Sequence, residues 1–422
     1  MRYLAAILIG RLIRVAVRLV RPGGGSALPG LVVSKLAPTL VYKTLRSFPL
    51  GYVAITGTAG KSTTTKMVVA IVRAHGVDVF TNPSTANIEQ GFFSTIVRTG
   101  NLFGQVAGDI AILEMDEAHA ASVSMKVQPK TSVILNVLED QLDRFIDPAL
   151  VRDTLATVVR NTEGKVLLNA DDQNCLQIAK VEAAAESAIW FGFAESLAKG
   201  SNLQYAPTYL EDLTRPSANV IVESYQEQRV SVLVDETKAS FQLPSRGVHF
   251  ALDAVAAIAT AREILGKAFD LKLAAQVLDE LPPVFSRGEV RAVDGENIEF
   301  ILVQNPASMQ LNLDNLDDNL DQVLFAIGRD VHDPSWLWTV DYKQLKHVSL
   351  VSGFNYADAA LVLKYQGIEV EFVEVDYLKA IDAFFALPKP KNGIKTVLYS
   401  ADAMRRLRRY KGFTDPEDVT RA

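Results

Sequence analysis

Cysteine is almost missing from this chain. Cys175 is the only one in 422 residues, which excludes an internal disulfide and any zinc site built from several thiolates of one chain. Such scarcity is compatible with a reducing, cytoplasmic setting. A long uncharged apolar run is also missing at the start. Arg2, Arg11, Arg14 and Arg18 interrupt the first twenty residues, whereas a bilayer-spanning helix needs about 20 apolar residues in succession. The same arginines, with no small-residue cleavage site after them, argue against a cleaved signal peptide. A strong charge of either sign is lacking. The formal net charge is −6, which speaks against nucleic acid as a general partner. Internal repeats and low-complexity segments are absent. What is there is ordinary for a globular protein: 49% apolar and 22% charged residues, in a chain long enough for two or three domains.

The most informative segment runs from Ala54 to Thr65, Ala-Ile-Thr-Gly-Thr-Ala-Gly-Lys-Ser-Thr-Thr-Thr. An apolar strand-like run precedes it and a helical pattern follows. Strand, glycine turn, Lys-Ser and helix start together make a phosphate cradle. Thr58, Gly60, Lys61, Ser62 and Thr63 are the nucleotide-binding candidates. Lys61 would supply positive charge, and the Ser62 hydroxyl would reach Mg²⁺. The general pattern asks for glycine six residues before the lysine, where Ile55 stands. The alternative is a capped helix N-terminus after a tight turn.

Elsewhere the pattern is α/β. Residues 1–20 read as an amphipathic basic helix, with Arg11, Arg14 and Arg18 on one face. It either packs on the next domain or makes a peripheral membrane contact. A second helix is expected over Leu31–Ser47. Strands are expected at Asp78–Phe80, Ile110–Glu114, Thr131–Asn136 and Lys165–Asn169, a parallel-rich buried sheet. Ligands in such sheets lie at the strands' carboxyl ends, where Glu114, Asn136 and Asn169 fall. Glu114 is a candidate Mg²⁺ ligand. Asp171 and Asp172 either contact nucleotide or cap the next helix; Asp140 and Asp143 are open in the same way. Polar strands at Asn219–Ser224 and Val230–Val234 and an alanine-rich helix over Leu252–Leu265 follow. Beyond Pro282-Pro283, strands at 298–303, 322–327, 347–351, 369–373 and 396–398 indicate a further α/β domain.

Taken together, these motifs resemble the Mur ligase superfamily, and within it the MurT-like ligase subunits of lipid II isoglutaminyl synthases. The resemblance is carried by the GTAGKSTTT loop, Asn136 with Asp140-Gln141-Leu142-Asp143-Arg144, Asn169-Ala170-Asp171-Asp172, Arg287-Gly288-Glu289, Asn305-Pro306-Ala307 and Asp333-Pro334-Ser335-Trp336-Leu337-Trp338. It implies a helical segment over 1–48 and a Mur ligase-type central P-loop domain over 49–284, with an insert at about 182–245. A Rossmann-like C-terminal α/β domain would cover 285–422. It implies an ATP-dependent carbon–nitrogen ligase with ATP and Mg²⁺ as cofactors. Such an enzyme amidates the D-glutamate α-carboxyl of the lipid-linked peptidoglycan precursor through an acyl phosphate. The ammonia comes from a GatD-like class I glutamine amidotransferase subunit, in a heterodimer at the inner face of the plasma membrane.

By the same resemblance, Lys61, Glu114 and Asp333 are catalytic. Asn169, Asp171 and Arg287 join the nucleotide site. Asp333 would complete the partner's Cys–His pair, with Asp330 as the rival acid. The chain also departs from the family. The zinc-ribbon cysteines are missing, so no zinc is expected. Phe250 stands where an adenine-reading Asn is usual, and Gln304 replaces a Lys. Two alternatives remain: a stand-alone Mur-type amino-acid ligase, and a non-catalytic nucleotide-binding scaffold. Cys175 reads as a buried small hydrophobe, and the arginines from 405 to 409 as a solvated helix face.

Overall fold

The computed structural model describes residues 2–20, 27–83, 87–138, 148–184, 186–200, 214–282, 287–317 and 320–413; for 18–20, 27, 148, 198–200, 287 and 307 it describes the backbone alone. Asp140 and Asp143 lie outside the described residues.

Fifteen strands among the described residues form two sheets. The first holds β1 (Tyr52–Thr56), β2 (Val79–Thr81), β3 (Ile110–Glu114), β4 (Thr131–Ile134), β5 (Lys165–Asn169), β6 (Ile189–Phe193), β7 (Val220–Gln226), β8 (Arg229–Val234) and β9 (Thr237–Gln242). Their order is β2-β3-β1-β4-β5-β6-β7-β8-β9. Pairing is parallel from β2 through β7 and antiparallel for β8 and β9. The second sheet holds β10 (Arg287–Val293), β11 (Glu296–Leu302), β12 (Val323–Ile327), β13 (His347–Gly353), β14 (Glu369–Val373) and β15 (Lys395–Tyr399). Its order is β10-β11-β15-β12-β13-β14, parallel except for the β10–β11 hairpin. The region at 182–245 is therefore no appendage in its described part. It supplies β6 to β9 to the first sheet, side by side with β5.

The helices of the first half are α1 (Arg2–Val20), α2 (Ala27–Leu36), α3 (Leu40–Leu45), α4 (Lys61–Ala74), α5 (Glu89–Thr99), α6 (Glu117–Ser124), α7 (Pro148–Arg160), α8 (Gln173–Val181) and α9 (Glu195–Gly200). Then come α10 (Val248–Leu265), α11 (Leu271–Asp279), α12 (Pro306–Leu313), α13 (Tyr356–Tyr365), α14 (Tyr377–Phe385) and α15 (Ala401–Tyr410). The helix expected over Leu31–Ser47 is two helices. Pro38 falls between them, where proline disfavours a helical residue before it and supplies no N–H.

Alternation along β1 shows how the first sheet is covered. Tyr52 and Ala54 enter a core shared with α1, α2, α3 and α5; Val53 and Ile55 enter the opposite core, shared with α4, α10 and α11. A strand buried on both faces must be apolar throughout, and all five residues of β1 are buried. α10 is buried continuously from Phe250 to Ala261, so it shows no polar face. Its small alanines let α4 approach closely, which sets α4's first turn against α10.

Asp172 ties two strand ends together. Its carboxylate accepts from Val137 N (2.8 Å) and from Cys175 N (2.9 Å), capping α8. Burial pushes its carboxyl up to about 6, against the lowering pull of the Val137 and Cys175 N–H groups. The folded protein thus holds this proton more tightly than the unfolded chain, whose value is 3.8. The stability Asp172 contributes is fully present below pH ~4 and is lost as pH rises to ~6. In urea titrations, the stability difference between wild type and Asp172→Asn is expected to shrink by a few kcal/mol across that window. A difference independent of pH would reject this assignment.

Candidate nucleotide site

The loop from Gly57 to Gly60 leaves β1 and turns directly into α4. Gly57 (φ 131°) and Gly60 (φ 85°) hold backbone conformations that L side chains rarely adopt. Space forbids side chains as well. A Cβ on Gly57 would lie 2.9 Å from Asn136 O, and one on Gly60 would lie 2.2 Å from Asp253 Oδ1. The exit of β4 clamps the loop. Asn136 Oδ1 accepts from Ala59 N (2.8 Å), its Nδ2 donates to Ala59 O (3.1 Å), and Thr58 N donates to Asn136 O (3.1 Å). The Thr58 hydroxyl accepts from Leu138 N (3.0 Å).

In α4, Thr64 N is the first to bond back, to Gly60 O at 2.9 Å. The N–H groups ahead of it point out of the helix end, where its dipole also favours an anion. Gly60→Ala is expected to cost about 1–3 kcal/mol of stability from backbone strain and to weaken nucleotide binding at least tenfold. Calorimetry with ATP and a thermal melt check the pair; unchanged affinity would show that the loop tolerates the methyl group.

Lys61 Nζ rests on the loop's own carbonyls, donating to Gly57 O and to Thr58 O (3.2 Å), and forms an ion pair with Glu117 Oε1 at 3.1 Å. Glu117 opens α6 three residues after Glu114, and sequence reasoning gave it no role. An acid just past a strand-end acid was the available signal. Glu114 is itself buried at the end of β3, paired with Ile55, two residues before the loop begins at Gly57. Its backbone is gripped on both sides by Asn82: Glu114 N donates to Asn82 Oδ1 (3.0 Å), and Asn82 Nδ2 donates to Glu114 O (2.9 Å). Ser62 and Thr63 form the first turn of α4, with Thr63 buried.

Two adjoining hollows open beside the loop. One is lined by Leu135, Phe191, Leu252, Asn136 and Asn169, the other by Ser62, Thr63, Phe250, Ser308 and Asn312; Ala59, Gly60, His249, Asp253 and Leu311 border both. The far wall is thus α12, from the C-terminal half. There the segment with Gln304 is organised by Ser308. Asn305 Oδ1 accepts from Ser308 N (2.8 Å), and Ser308 Oγ accepts from Asn305 N (3.1 Å), a closed capping box. Phe250 is buried with its ring centroid 4.2 Å from that of His249. It offers a face for stacking and no edge for reading a base.

Asn169 and Asp171 stand differently. Asn169 borders the hollow, while its amide is engaged by Leu135 O (2.9 Å) and Asp171 N (2.9 Å). The Asp171 carboxylate accepts from Arg215 Nε (2.7 Å) and Phe193 N (2.7 Å), fastening β5 to the end of β6. Arg287 is the first residue of β10, and its side chain lies outside the described residues.

Asp333 belongs to another part of the surface. It caps the short 3₁₀ helix Pro334–Thr339, accepting from Ser335 N at 2.9 Å, and hydrogen bonds from Ser335 hold its carboxyl below the usual value. Asp330 is fully engaged in the start of α15, accepting from the Ser400 hydroxyl (2.6 Å), Ala401 N (2.9 Å) and Asp402 N (2.9 Å). Trp336 is buried, whereas Trp338 is exposed and meets Tyr365 edge-on at 5.5 Å.

The residues present fit a magnesium nucleotide. The glycine cradle excludes side chains where phosphates would lie, and a hydroxyl and a carboxylate flank it. Mg²⁺ is ordinarily held by one or two protein oxygens together with phosphate and water.

Residues 55–261 match the Mur ligase middle domain family, and residues 302–401 match the MurT ligase C-terminal family. The chain is 26% identical over 398 residues to the lipid II isoglutaminyl synthase (glutamine-hydrolyzing) subunit MurT of Streptococcus pneumoniae, covering 83% of this chain and 84% of that one. It is 24% identical over 417 residues to the Staphylococcus aureus subunit of the same name, covering 90% and 92%. Among solved structures, MurF ligase from Thermotoga maritima in complex with ADP aligns with a TM-score of 0.61 at 16% identity, covering 93% of this chain and 85% of that chain. Mycobacterium tuberculosis folylpolyglutamate synthase complexed with ADP and AMPPCP aligns with a TM-score of 0.65 at 14% identity, covering 98% and 100%. These two likenesses speak to the fold.

Proposed function

We propose, for a chain that is a MurT-like member of the Mur ligase superfamily, that it is the ligase subunit of a glutamine-hydrolysing amidoligase acting on the peptidoglycan precursor lipid II. The observation that carries this reading is one chain uniting a glycine phosphate cradle at the end of β1 with a MurT-type C-terminal domain. MgATP, when bound, supplies the phosphoryl group that converts the D-glutamate α-carboxylate into an acyl phosphate, which ammonia opens to the amide as phosphate departs.

The chain's own part is positioning and charge neutralisation. The first-turn N–H groups of α4 and the Lys61 ammonium receive the phosphates, with Thr58, Gly60 and Thr63 shaping the cradle. Lys61 reaches them by exchanging the carbonyls of Gly57 and Thr58 for phosphate oxygens, while Glu117 anchors the ammonium. Ser62 and Glu114 would hold Mg²⁺, and Asn82 fixes the backbone of the strand end that carries Glu114. Asn169 and Arg287 complete the nucleotide site. Asp171 acts through β6, whose end it secures.

Ammonia comes from a GatD-like class I glutaminase. Asp333 is the group lent to its Cys–His pair, since it sits at the surface while Asp330 is spent on α15. The exposed Trp338 and Tyr365 beside it on the 3₁₀ helix and α13 suit a docking surface. Co-expression with such a glutaminase and an amidation assay on lipid II tests the reading. Failure of the two chains to co-purify, or glutamine-dependent amidation by this chain alone, would overturn it.

A further inference from the structure

Residues 1–77 contain eleven Lys and Arg and no Asp or Glu, in a chain whose net charge is −6. This cationic stretch includes α1, α2 and α3, and α1 is oriented contrary to a simple basic amphipathic helix. Arg11 points inward, donating from Nε to Val97 O (3.1 Å) and from Nη2 to Gly100 O at the end of α5. Arg2 Nε donates to Leu36 O (2.7 Å) at the end of α2. These cations neutralise helix C-termini. Gly10 lies against α2 so tightly that a Cβ there would fall 2.6 Å from Val33 Cγ2. What faces outward is apolar. Leu8, Leu12 and Val15, spaced one and two turns apart, are 45%, 70% and 59% exposed. Leu28 and Leu31 of α2 are exposed as well, and Lys35 and Lys43 stand exposed nearby in the chain.

We infer that this face of α1 and α2 seats on an anionic phospholipid surface. An outward leucine stripe with the exposed Lys35 and Lys43 in the same segment, and no Asp or Glu before Asp78, is the chemistry of an interfacial helix: the apolar side chains enter the acyl boundary and those lysines meet negative head groups. A second copy of the chain would bring two such cationic faces together, which disfavours self-association. No helix among the described residues is long and apolar enough to cross a membrane, so α1 lies along the surface. The inference rests on charge and exposure alone and stands or falls separately from the ligase chemistry.

The test is co-sedimentation of the full chain with phosphatidylcholine vesicles, with and without phosphatidylglycerol. Binding is expected to require phosphatidylglycerol and to weaken in high salt. Leu12→Asp with Val15→Asp should lower the bound fraction about tenfold with thermal unfolding and ATP affinity unchanged. Should that pair impair folding, Leu12→Trp serves instead, and its emission should move to the blue when phosphatidylglycerol vesicles are added. Three results would each overturn the inference: no sedimentation of wild type, no shift for Leu12→Trp, or a wild-type oligomer in light scattering that the Asp pair disperses. A protein partner captured on this face with no vesicle binding would overturn it equally.

Discussion

Lys61→Ala is expected to abolish amidation, by about 10³-fold or more, because phosphoryl transfer depends on charge placed against the transferring group. ATP affinity should fall alongside, measured by calorimetry. The substitution also removes the ion pair of Glu117, a side chain only 5% exposed, and taking away one partner of a buried pair is costly. A loss of activity could then reflect a loosened fold. Lys61→Ala with Glu117→Gln separates the two effects: the second change removes the stranded charge. Stability should recover and activity should not. Recovery of activity in the double variant would show that Lys61 serves only to neutralise Glu117.

Asp333→Asn should have the opposite profile. Glutamine hydrolysis by the two-chain complex is expected to drop by about 10³- to 10⁴-fold, the scale on which an orienting carboxylate acts through a histidine. Amidation driven by added ammonium salt should stay at the wild-type rate. Asn can still accept from Ser335 N, so the 3₁₀ helix keeps its cap. Asp330→Asn is the informative contrast. It disturbs the start of α15 and should lower stability by about 1 kcal/mol, with both half-reactions retained in proportion to folded protein. If Asp330→Asn alone silenced glutaminase, the two acids would have to exchange roles.

Most of the parallel core of the first sheet was legible because its buried strands are continuously apolar, as β3 running into Glu114 and β5 into Asn169 show; β6, equally apolar and buried, went unread. In the second sheet β12, β13 and β15 were legible for the same reason. β9 was not: it is an edge hairpin strand with Thr237, Lys238 and Gln242 exposed and one fully buried aromatic, Phe241. β10 was hidden by its glycine and by the charges at Arg287, Glu289 and Arg291, which suit a hairpin at the sheet edge as well as a loop. α10 begins one turn before its alanines because Gly247, at φ 123°, starts it.

In the site, the loop announced itself through local spacing. Glu117, Asp253, Asn82 and the α12 wall did not, since each joins the site only through tertiary packing, Asn82 by way of Glu114. The outward leucines of α1 were unreadable for a related reason. Periodicity identifies two faces of a helix but not which of them the protein covers, and here the ends of α2 and α5 claimed Arg2 and Arg11.

The wall that α12 contributes has a kinetic consequence. Ser308, Leu311 and Asn312 close the hollow from the side opposite the cradle, so a molecule bound there is enclosed by both halves of the chain. Under the proposed reading, a nucleotide seated there would touch both halves, and its arrival or departure would be coupled to how those halves sit against each other.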